Sequence, residues 1–169
     1  MVAVSAKSPK ECSVEELAEF EKLVLEGGEV DPEGLSGRIE RAVALAMLTT
    51  EDGLMGVAGL KKPTPAYRAK VAKGSGATLS ADQYPLELGW VHVREGVRGG
   101  KSKMLCEALV PNADDRGMFA TSRVNNPWMH ATLEAKGFKR TGSEWPSGQS
   151  PVKLALFIRE PGAQDAPPN

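Results

Sequence analysis

The sequence predicts an α+β fold in which helices flank a mixed central sheet in three layers, and three observations support this prediction. The first is length, since 169 residues with 41% apolar side chains are enough for one domain with a hydrophobic core. The second is the order of the predicted elements: two helices, three strands, a helix, a strand, a helix and two strands. The third is their connections, because hairpins occur together with strand–helix–strand crossovers, so antiparallel and parallel pairs should coexist.

The N-terminal half predicts two helices and a hairpin. Ser13 and Glu16 have the spacing of a capping box, so the first helix should begin there and end at Gly27–Gly28. A second helix is predicted over residues 32–41. Strands are predicted over 42–49 and 54–60 around a Glu51–Asp52–Gly53 turn, followed by a polar loop over 61–75 with one helical stretch at 67–71.

The C-terminal half alternates strands and helices. Predicted strands cover 86–93, 117–124, 138–142 and 152–158, and predicted helices cover 102–110 and 126–136. Asn126 is the expected N-cap of the last helix, Pro127 its first residue and Gly137 its stop. We expect one domain over residues 1–160 and a disordered tail over 161–169.

Composition and charge narrow the function classes. Two cysteines and two histidines are too few for a disulfide framework or a zinc site, so no metal is expected. No apolar run approaches the roughly 18 residues of a membrane span, and a secretory signal is not recognisable, so we expect a cytoplasmic protein without membrane contact. Residues 1–40 hold ten acidic and four basic residues in a chain of net charge −1. This indicates either a solvated acidic helix face or an acidic rim that attracts cationic amines.

A glycine-containing loop stands between the predicted strand 86–93 and the next helix. The segment Val97–Arg98–Gly99–Gly100–Lys101–Ser102 has the composition of an anion site, because glycines let a phosphate approach the backbone and the first amides of a helix have no internal partner. The nearby bases, expected to be opposed only by Glu95, are Arg94, Arg98, Lys101 and Lys103. The spacing fits neither a P-loop nor a dinucleotide fingerprint, and a plain turn is an open alternative.

Residues 87–138 resemble the GCN5-related N-acetyltransferase (GNAT) family. Its members bind acetyl-CoA with a loop of pattern Gln/Arg-x-x-Gly-x-Gly/Ala, for which this chain has Val97-x-x-Gly100-x-Ser102. A later helix of the family has the pattern Asn-x-x-Ala-x-x-x-Tyr-x-x-x-Gly-Phe. Here Asn126-x-x-Met129-x-x-x-Leu133-x-x-x-Gly137–Phe138 matches its Asn-to-Gly spacing.

The resemblance implies a GNAT-like sheet of about six to seven mostly antiparallel strands, with acetyl-CoA as the acyl donor. It implies transfer of the acetyl group to a primary amine of an unidentified small-molecule or peptide acceptor, by direct attack in a ternary complex. A backbone N–H near residues 91–93 is implied to hold the carbonyl oxygen. The residues assigned to acetyl-CoA are Val91, His92, Val93, Arg98, Gly99, Gly100, Lys101, Ser102 and Asn126.

Three positions depart from the family pattern. Val97 stands where the loop should begin with Gln or Arg, and Arg98 comes one step late. Ser102 ends the loop and is small enough for a phosphate to stay close to the backbone. Leu133 stands where many members have a Tyr that protonates the leaving thiolate, and Leu donates no proton. Either another group supplies the proton or the thiolate leaves unassisted, since thiols ionise readily.

Glu87 and His130 are the candidate catalytic residues. Glu87 lies at the head of the central strand, where several protein acetyltransferases of the family have a catalytic Glu; a surface carboxylate is the alternative. His130 lies three residues before Leu133 on roughly the same helix face, so it is the candidate replacement donor, with a structural His as the alternative. His92 and Asn126 have structural interpretations as well, as a core histidine and a helix cap.

Two alternative functions stay open. Val97 and Leu133 favour a non-catalytic GNAT-fold module that binds CoA without turnover. A basic central segment favours nucleic-acid contact, or an enzyme that modifies a nucleic-acid-linked amine; its bases are Lys61, Lys62, Arg68, Lys70 and Lys73. The net charge of −1 argues against strong general binding of nucleic acid. The assembly state is open, with a homodimer as one option.

Overall fold

A computed structural model describes residues 1–97, 99–148 and 150–167 of the chain. The strands within these residues are β1 (Ala3–Lys7), β2 (Ala44–Thr50), β3 (Gly53–Lys61), β4 (Leu86–Val93), β5 (Met118–Arg123), β6 (Lys139–Pro146) and β7 (Lys153–Arg159). The α-helices are α1 (Val14–Gly27), α2 (Leu35–Glu40), α3 (Pro65–Ser75), α4 (Lys101–Leu109) and α5 (Pro127–Ala135). Among the described residues, no helix is both long enough and apolar enough to cross a membrane.

The strands form one sheet in the order β1-β2-β3-β4-β5-β7-β6. The pairs β1–β2, β2–β3, β5–β7 and β6–β7 are antiparallel, whereas β4 and β5 are parallel. The predicted fold class, a mixed and mostly antiparallel sheet of six to seven strands with flanking helices, is confirmed. Strand β1 was not predicted. It has only five residues, Ala3–Lys7, lies at the edge of the sheet and has no fully buried residue.

The chain divides into two compact units, and the division falls inside β4 between Glu87 and Leu88. The first unit contains Met1–Lys62 and Leu88–Asn112, and the second contains Pro63–Glu87 and Ala113–Asn169. The expectation of a single domain over residues 1–160 stays a prediction.

In the first unit, helices cover both faces of the strands. Leu45 and Met47 of β2 lie in a core with α1 and α2. Leu48, the next residue, points to the other face of the sheet. There Leu48 and Leu105 of α4 both lie close to Gly56. Because successive side chains of a strand point to opposite faces, α1 and α2 lie on one face and α4 on the other.

Helix α1 begins where the sequence predicts. The Ser13 hydroxyl accepts a hydrogen bond from the Glu16 amide at 3.0 Å, and the Glu16 carboxylate accepts one from the Ser13 amide at 2.9 Å. This reciprocal capping box satisfies two amides that a helix start leaves without partners. Gly28 ends the helix with φ 71°, a left-handed value that glycine adopts without strain.

In the second unit, α3 and α5 cover opposite faces. Leu156 and Ile158 of β7 lie in a core with Val71 of α3. Phe157, between them in sequence, points the other way and contacts the His130 ring of α5 with 4.9 Å between ring centroids. Each unit therefore has the helix–sheet–helix layering that the sequence predicts.

Helix α3 is longer than predicted, since a loop with a short helical stretch at 67–71 was expected. Thr64 caps it by accepting a hydrogen bond from the Tyr67 amide at 3.2 Å, and Pro65 follows as its first residue. A polar residue followed by Pro is a helix-start signal that the composition of the segment obscured, because few of its residues are apolar. Only Val71 and Ser75 of this helix are fully buried.

Residues 163–166 form hydrogen bonds with earlier parts of the chain, and the disordered tail expected over 161–169 stays a prediction. The Arg159 guanidinium donates to the Ala163 carbonyl at 2.7 Å, and the Ala166 amide donates to the Ala135 carbonyl at 3.0 Å. Lys136 forms an ion pair with Asp165 at 3.0 Å. These contacts join residues 163–166 to the end of α5.

Candidate active site

The glycine loop leads from β4 into α4 in the first unit. Gly96, Gly99 and Gly100 have φ values of 91°, 81° and 72°, all in the left-handed region that favours glycine. A side chain built at Gly99 or Gly100 would meet nothing within 4 Å, so only the backbone conformation requires glycine there. Gly99 and Gly100 therefore have a turn conformation and an open surface, as an anion site needs.

The start of α4 presents backbone N–H groups. Its N-cap is Gly100, and within the described parts of the chain no side chain caps this helix. Its first intrahelical hydrogen bond runs from the Met104 amide to the Gly100 carbonyl at 3.1 Å. The amides of Lys101, Ser102 and Lys103 precede this bond, so they have no acceptor inside the helix and stand at its partially positive end.

The bases around this loop differ in what they are paired with. Arg94 is held by Glu26, to which it donates through Nε at 2.9 Å and Nη2 at 2.6 Å. Lys103 pairs with Glu107 at 3.8 Å. The expectation that Glu95 alone opposes these bases is wrong, because Glu26 and Glu107 pair with two of them. Glu26 is 68 positions from Arg94, and Glu107 is one helical turn after Lys103. Lys101 has no ion pair among the described residues, and Arg98 lies outside them.

Strand β4 contains one residue in an unusual conformation. Trp90 has φ 56°, a left-handed value that bulky residues rarely adopt and that interrupts a regular strand. Its ring packs edge-on against Phe20 with 6.1 Å between centroids, and a Cβ added at Gly59 would lie 2.5 Å from it. Val91, His92 and Val93, which the family resemblance assigns to acetyl-CoA, follow directly and are all half-buried.

His92 lies beside the C-terminal end of α1. Its Nε2 is 3.8 Å from a carboxylate oxygen of Glu26, and its ring atoms would lie 3.2 Å from a Cβ at Gly27. Burial lowers the pKa of His92 and the nearby Glu26 carboxylate opposes this effect only partly. His92 is therefore a neutral ring in contact with helix α1 at pH 7.

Glu87 is a buried carboxylate in the second unit. It is 2% exposed, and its Oε2 accepts a hydrogen bond from the Tyr67 hydroxyl at 3.0 Å. The Tyr67 oxygen is also 3.5 Å from the Thr121 hydroxyl, at the limit of a hydrogen bond. In the parallel register Glu87 stands opposite Phe119, which places Glu87, Phe119 and Thr121 on the sheet face that α3 covers.

Arg68 adds a positive charge next to this pair. Its Nη1 donates to the carbonyls of Tyr84 at 2.7 Å and Leu79 at 3.3 Å, and its guanidinium lies 5.6 Å from the centre of the Phe119 ring. Burial lowers the pKa of Arg68, and the negative charge of Glu87 partly offsets that effect. The segment before β4 therefore fixes a guanidinium whose charge acts on Glu87.

Asn126 and His130 lie on the first turns of α5. The Asn126 side-chain oxygen accepts a hydrogen bond from the Met129 amide at 3.1 Å, which confirms Asn126 as the helix cap. His130 Nε2 is 2.9 Å from the Arg123 carbonyl oxygen. A carbonyl only accepts, so the proton of a neutral His130 ring lies on Nε2, and Nδ1 is then an acceptor.

Leu133 is fully buried in the second unit, at 0% exposure. The position of the family's tyrosine is thus occupied by an apolar side chain in the hydrophobic core. Within the described residues, no group of three or more His, Cys, Asp or Glu side chains has the arrangement of a metal site.

Known proteins share the fold of this chain without close similarity in sequence. No protein-family model and no curated protein matches the sequence. Among solved structures, ElaA from Escherichia coli matches with a TM-score of 0.68 at 16% identity, over 95% of this chain and 100% of that chain. The N-acyl amino acid synthase FeeM from uncultured soil microbes matches with a TM-score of 0.65 at 12% identity, over 95% and 92%. An acetyltransferase of the GNAT family from Bacillus cereus ATCC 10987 matches with a TM-score of 0.58 at 12% identity, over 95% and 97%.

The chain has the GNAT fold. At these identities the likeness concerns the fold, and the functional residues have to be argued position by position. The two sequence patterns of the family fall on the turn before α4 and on α5, each in the element that the pattern predicts.

Sequence reasoning missed Tyr67. The residue begins the short helical stretch predicted at 67–71, in a segment otherwise expected to be loop. It is 20 positions from its partner Glu87. The Thr64–Pro65 start signal would have placed Tyr67 in the first turn of a helix. Nothing local would have paired it with Glu87, because that contact depends on how α3 packs on the sheet.

Proposed function

We propose that this chain is an N-acetyltransferase that moves an acetyl group from acetyl-CoA to a primary amine. The observation that carries the proposal is the start of α4, where left-handed glycines precede uncapped helix amides and Lys101 has no ion pair within the described chain. A diphosphate fits this chemistry, because its oxygens only accept hydrogen bonds and carry negative charge. The GNAT fold supplies the context in which such a turn binds acyl-CoA.

In this proposal the pyrophosphate of acetyl-CoA is bound mainly by backbone groups. The amides of Lys101 and Ser102, with Gly99 and Gly100 before them, donate to its oxygens, and the Lys101 ammonium adds charge. Arg98 is assigned to the same anion from the sequence alone. Because backbone groups make most of these contacts, Val97 in place of Gln or Arg removes little from the site.

The acetyl group is assigned to the last residues of β4. A backbone N–H among Val91, His92 and Val93 would donate to the thioester oxygen, where negative charge develops during attack. The left-handed Trp90 supports this assignment, since a break in regular strand geometry is how a strand turns main-chain groups away from its neighbour. Strained backbone of this kind is common at sites of chemistry.

The chemistry is direct attack within a ternary complex. The acceptor nitrogen forms a bond to the acetyl carbon, the carbon–sulfur bond breaks, and the electron pair leaves on the CoA sulfur as a thiolate. Glu87 is the proposed base for the proton that nitrogen loses. His130 is the proposed donor to the thiolate, and its cationic form would donate from Nδ1 because Nε2 faces the Arg123 carbonyl.

The acceptor is proposed to be a small molecule or peptide with a primary amine. FeeM is named an N-acyl amino acid synthase, so at least one protein of similar fold uses an amino acid as acceptor. The ten acidic residues among residues 1–40 would attract a cationic amine before it binds.

A thiol-release assay tests this function. The full chain is incubated with acetyl-CoA and, separately, with amino acids, polyamines, peptides and aminoacyl conjugates, and free CoA is measured. The proposal expects amine-dependent release that saturates with acetyl-CoA. Release without any amine, or none with all of them, contradicts it.

A non-catalytic CoA-binding module is the second candidate, and the buried Leu133 favours it. Leu at this position gives the chain no proton donor where the family has one. This candidate expects acetyl-CoA to bind with no amine-dependent thiol release. An amine that accelerates release severalfold would exclude it.

A further inference from the structure

Arg94 lies between the two segments of the first unit that are assigned to acetyl-CoA. Residues 91–93, assigned to the acetyl group, come directly before it, and Gly99 and Gly100 of the diphosphate turn follow it closely. The thioester and the diphosphate belong to one molecule, so the two segments must keep a fixed placement relative to each other. The contacts that hold Arg94 therefore also hold this placement.

The main chain of Arg94 is hydrogen-bonded on both sides. Its amide donates to the Met55 carbonyl of β3 at 2.8 Å, which fastens the residue after β4 to the neighbouring strand. Its carbonyl accepts a long hydrogen bond from the Val97 amide at 3.4 Å, which closes a turn around Gly96 at φ 91°. Arg94 is thus the point at which the strand stops and the turn begins.

The guanidinium of Arg94 connects this point to two further segments. Nε and Nη2 donate to the two carboxylate oxygens of Glu26 at the end of α1, at 2.9 and 2.6 Å, and Nη1 donates to the Leu54 carbonyl at 3.2 Å. A bidentate pair fixes orientation as well as distance, because two N–H groups meet two oxygens. The side chains of Arg94 and Glu26 are 27% and 35% exposed, so their contribution to stability is small and their effect is mainly geometric.

The same contacts argue against Arg94 as a ligand of the diphosphate. The hydrogen bond from Arg94 lowers the pKa of the Glu26 carboxyl, so Glu26 is ionised at pH 7 and neutralises the guanidinium. A phosphate that approached Arg94 would also approach the negative charge of Glu26. Arg94 is therefore better suited to hold the chain than to hold an anion.

We propose that Arg94 is a positioning residue that, fixed by Glu26, keeps residues 91–93 and the diphosphate turn in the placement that acetyl-CoA requires, an inference that rests on the proposed acetyltransferase function. Arg94 itself contacts neither the acetyl group nor the diphosphate. When the pair is broken, the backbone N–H of residues 91–93 is aimed less accurately at the thioester oxygen, and attack slows. The amides at the start of α4 still bind the diphosphate, because their orientation is set by the helix.

The two roles open to Arg94 predict different effects of Glu26→Gln, which keeps the size of the side chain and removes its charge. If Arg94 bound the diphosphate, this variant would leave its positive charge less neutralised and lower the KM for acetyl-CoA. If Arg94 is a positioning residue, the variant loses the bidentate pair and kcat falls without a gain in KM. The sign of the change in KM therefore separates a ligand from a positioning residue.

The experiment measures kcat and KM with acetyl-CoA and the amine that the unaltered chain acetylates fastest. We expect Glu26→Gln and Arg94→Met each to lower kcat roughly tenfold to 10²-fold and to leave the KM for acetyl-CoA within about twofold. The double variant should be no slower than the worse single variant, because the two groups act as one unit. Acetyl-CoA binding should have the same salt dependence in Arg94→Met as in the unaltered chain, because no phosphate contact is lost.

Arg140 and Glu144 provide a matched control in the second unit. Arg140 donates through Nη2 to a carboxylate oxygen of Glu144 at 2.7 Å, and no step of the proposed reaction uses either residue. Arg140→Met and Glu144→Gln should keep the kcat of the unaltered chain. If Arg94→Met does not fold, Arg94→Lys replaces it, because Lys keeps the charge and loses the bidentate geometry. A lowered kcat in Arg94→Lys is the result that the positioning role predicts.

The outcomes distinguish the positioning role from the function on which it rests. Acetylation by the unaltered chain together with an unchanged kcat in the Arg94 variant overturns the positioning role alone, and so does a lower KM in Glu26→Gln. Rate losses that multiply in the double variant, or losses of equal size in the Arg140 and Glu144 controls, also overturn it. No acetylation of any amine by the unaltered chain overturns the proposed function and the positioning role with it.

Discussion

The glycine loop of the first unit and the Tyr67–Glu87 pair of the second unit offer opposite kinds of chemistry. The loop presents backbone N–H donors at the start of α4, so its proposed function, anion binding, depends on conformation and little on which side chains surround it. The pair joins two side chains through one hydrogen bond, so its chemistry depends on single atoms. The difference shows why two departures from the family pattern have unequal consequences. Val97 changes a side chain in a loop that would bind through its backbone, so little is lost. Leu133 removes a side-chain hydroxyl that no backbone group replaces.

The largest expected effect is a loss of turnover without a loss of acetyl-CoA binding, when Glu87 of the pair is changed and the loop is left intact. Glu87→Gln should lower kcat about 10²- to 10⁴-fold and leave the Kd for acetyl-CoA unchanged, because Glu87 is the proposed base for proton transfer. Glu160→Gln, which alters the carboxylate beside Tyr84, is the control and should keep the unaltered kcat. Steady-state kinetics and equilibrium binding together measure both quantities. A Glu87→Gln chain that binds acetyl-CoA more weakly but turns over normally would reverse the comparison.

The next effect tests whether conformation defines the loop. Gly100→Val places a branched residue at φ 72°, which costs roughly 1–3 kcal/mol and should weaken acetyl-CoA binding by about tenfold or more. Gly34→Val is a matched control, because Gly34 is the N-cap of α2 in the same unit, has φ 71° and ψ 8° against φ 72° and ψ 19° for Gly100, and also has no neighbour within 4 Å. Both variants should lose similar stability in denaturant unfolding, but only Gly100→Val should lose affinity. Equal affinities in calorimetry would remove the loop from the site.

Charge at the loop should matter less than its backbone. Lys101→Ala should weaken acetyl-CoA binding by about 1 kcal/mol, roughly fivefold, since a charge in contact with solvent is screened by salt. Lys103→Ala is the control two residues away, where the ammonium is already paired with Glu107. The Lys101 effect should shrink as salt rises from 50 to about 500 mM. An effect of equal size at Lys103 would contradict the assignment.

Asn126 separates a structural role from a binding role. Asn126→Ala should lower the free energy of unfolding by about 1 kcal/mol, because the Met129 amide loses its cap. Asn126→Asp keeps a good cap and should retain most of that stability. If the amide also contacts acetyl-CoA, as we propose, both variants bind it more weakly. Normal binding by Asn126→Asp would leave Asn126 with the cap alone.

The smallest effect concerns the pH dependence of stability in the first unit. Burial lowers the pKa of His92 below its ordinary value of 6.5, so the folded chain binds fewer protons there than the unfolded chain does. Stability should therefore fall as the pH drops below about 6.5. His92→Gln should reduce the loss of unfolding free energy between pH 7.5 and 5.5. A larger loss in His92→Gln than in the unaltered chain would contradict this sign.

Local sequence signals predicted the elements that local interactions define. The Ser13–Glu16 capping box and the Asn126 cap are formed by residues three positions apart, and both are present as predicted. Strand β4 has the predicted bounds because apolar residues recur at nearly every second position from Leu86 to Val93. The glycine loop was recognised because glycines and a following helix form one uninterrupted pattern.

What the sequence could not predict depends on packing between distant segments. Strand β1 is defined by pairing with β2, more than 35 positions away, and its own residues give little indication of a strand. The pairing of Arg94 with Glu26 spans 68 positions, so the loop's expected charge was too high. The Tyr67–Glu87 hydrogen bond likewise requires knowledge of which face of the sheet α3 covers.

Isothermal titration of the full chain with acetyl-CoA tests the central claim, that the turn before α4 holds an acyl-CoA, most directly. We expect one site with a Kd between about 1 μM and 1 mM, the range in which enzymes bind their substrates, and weaker binding by Gly100→Val but not by Gly34→Val. Heats no larger than dilution at millimolar acetyl-CoA, or equal binding by both glycine variants, would contradict it.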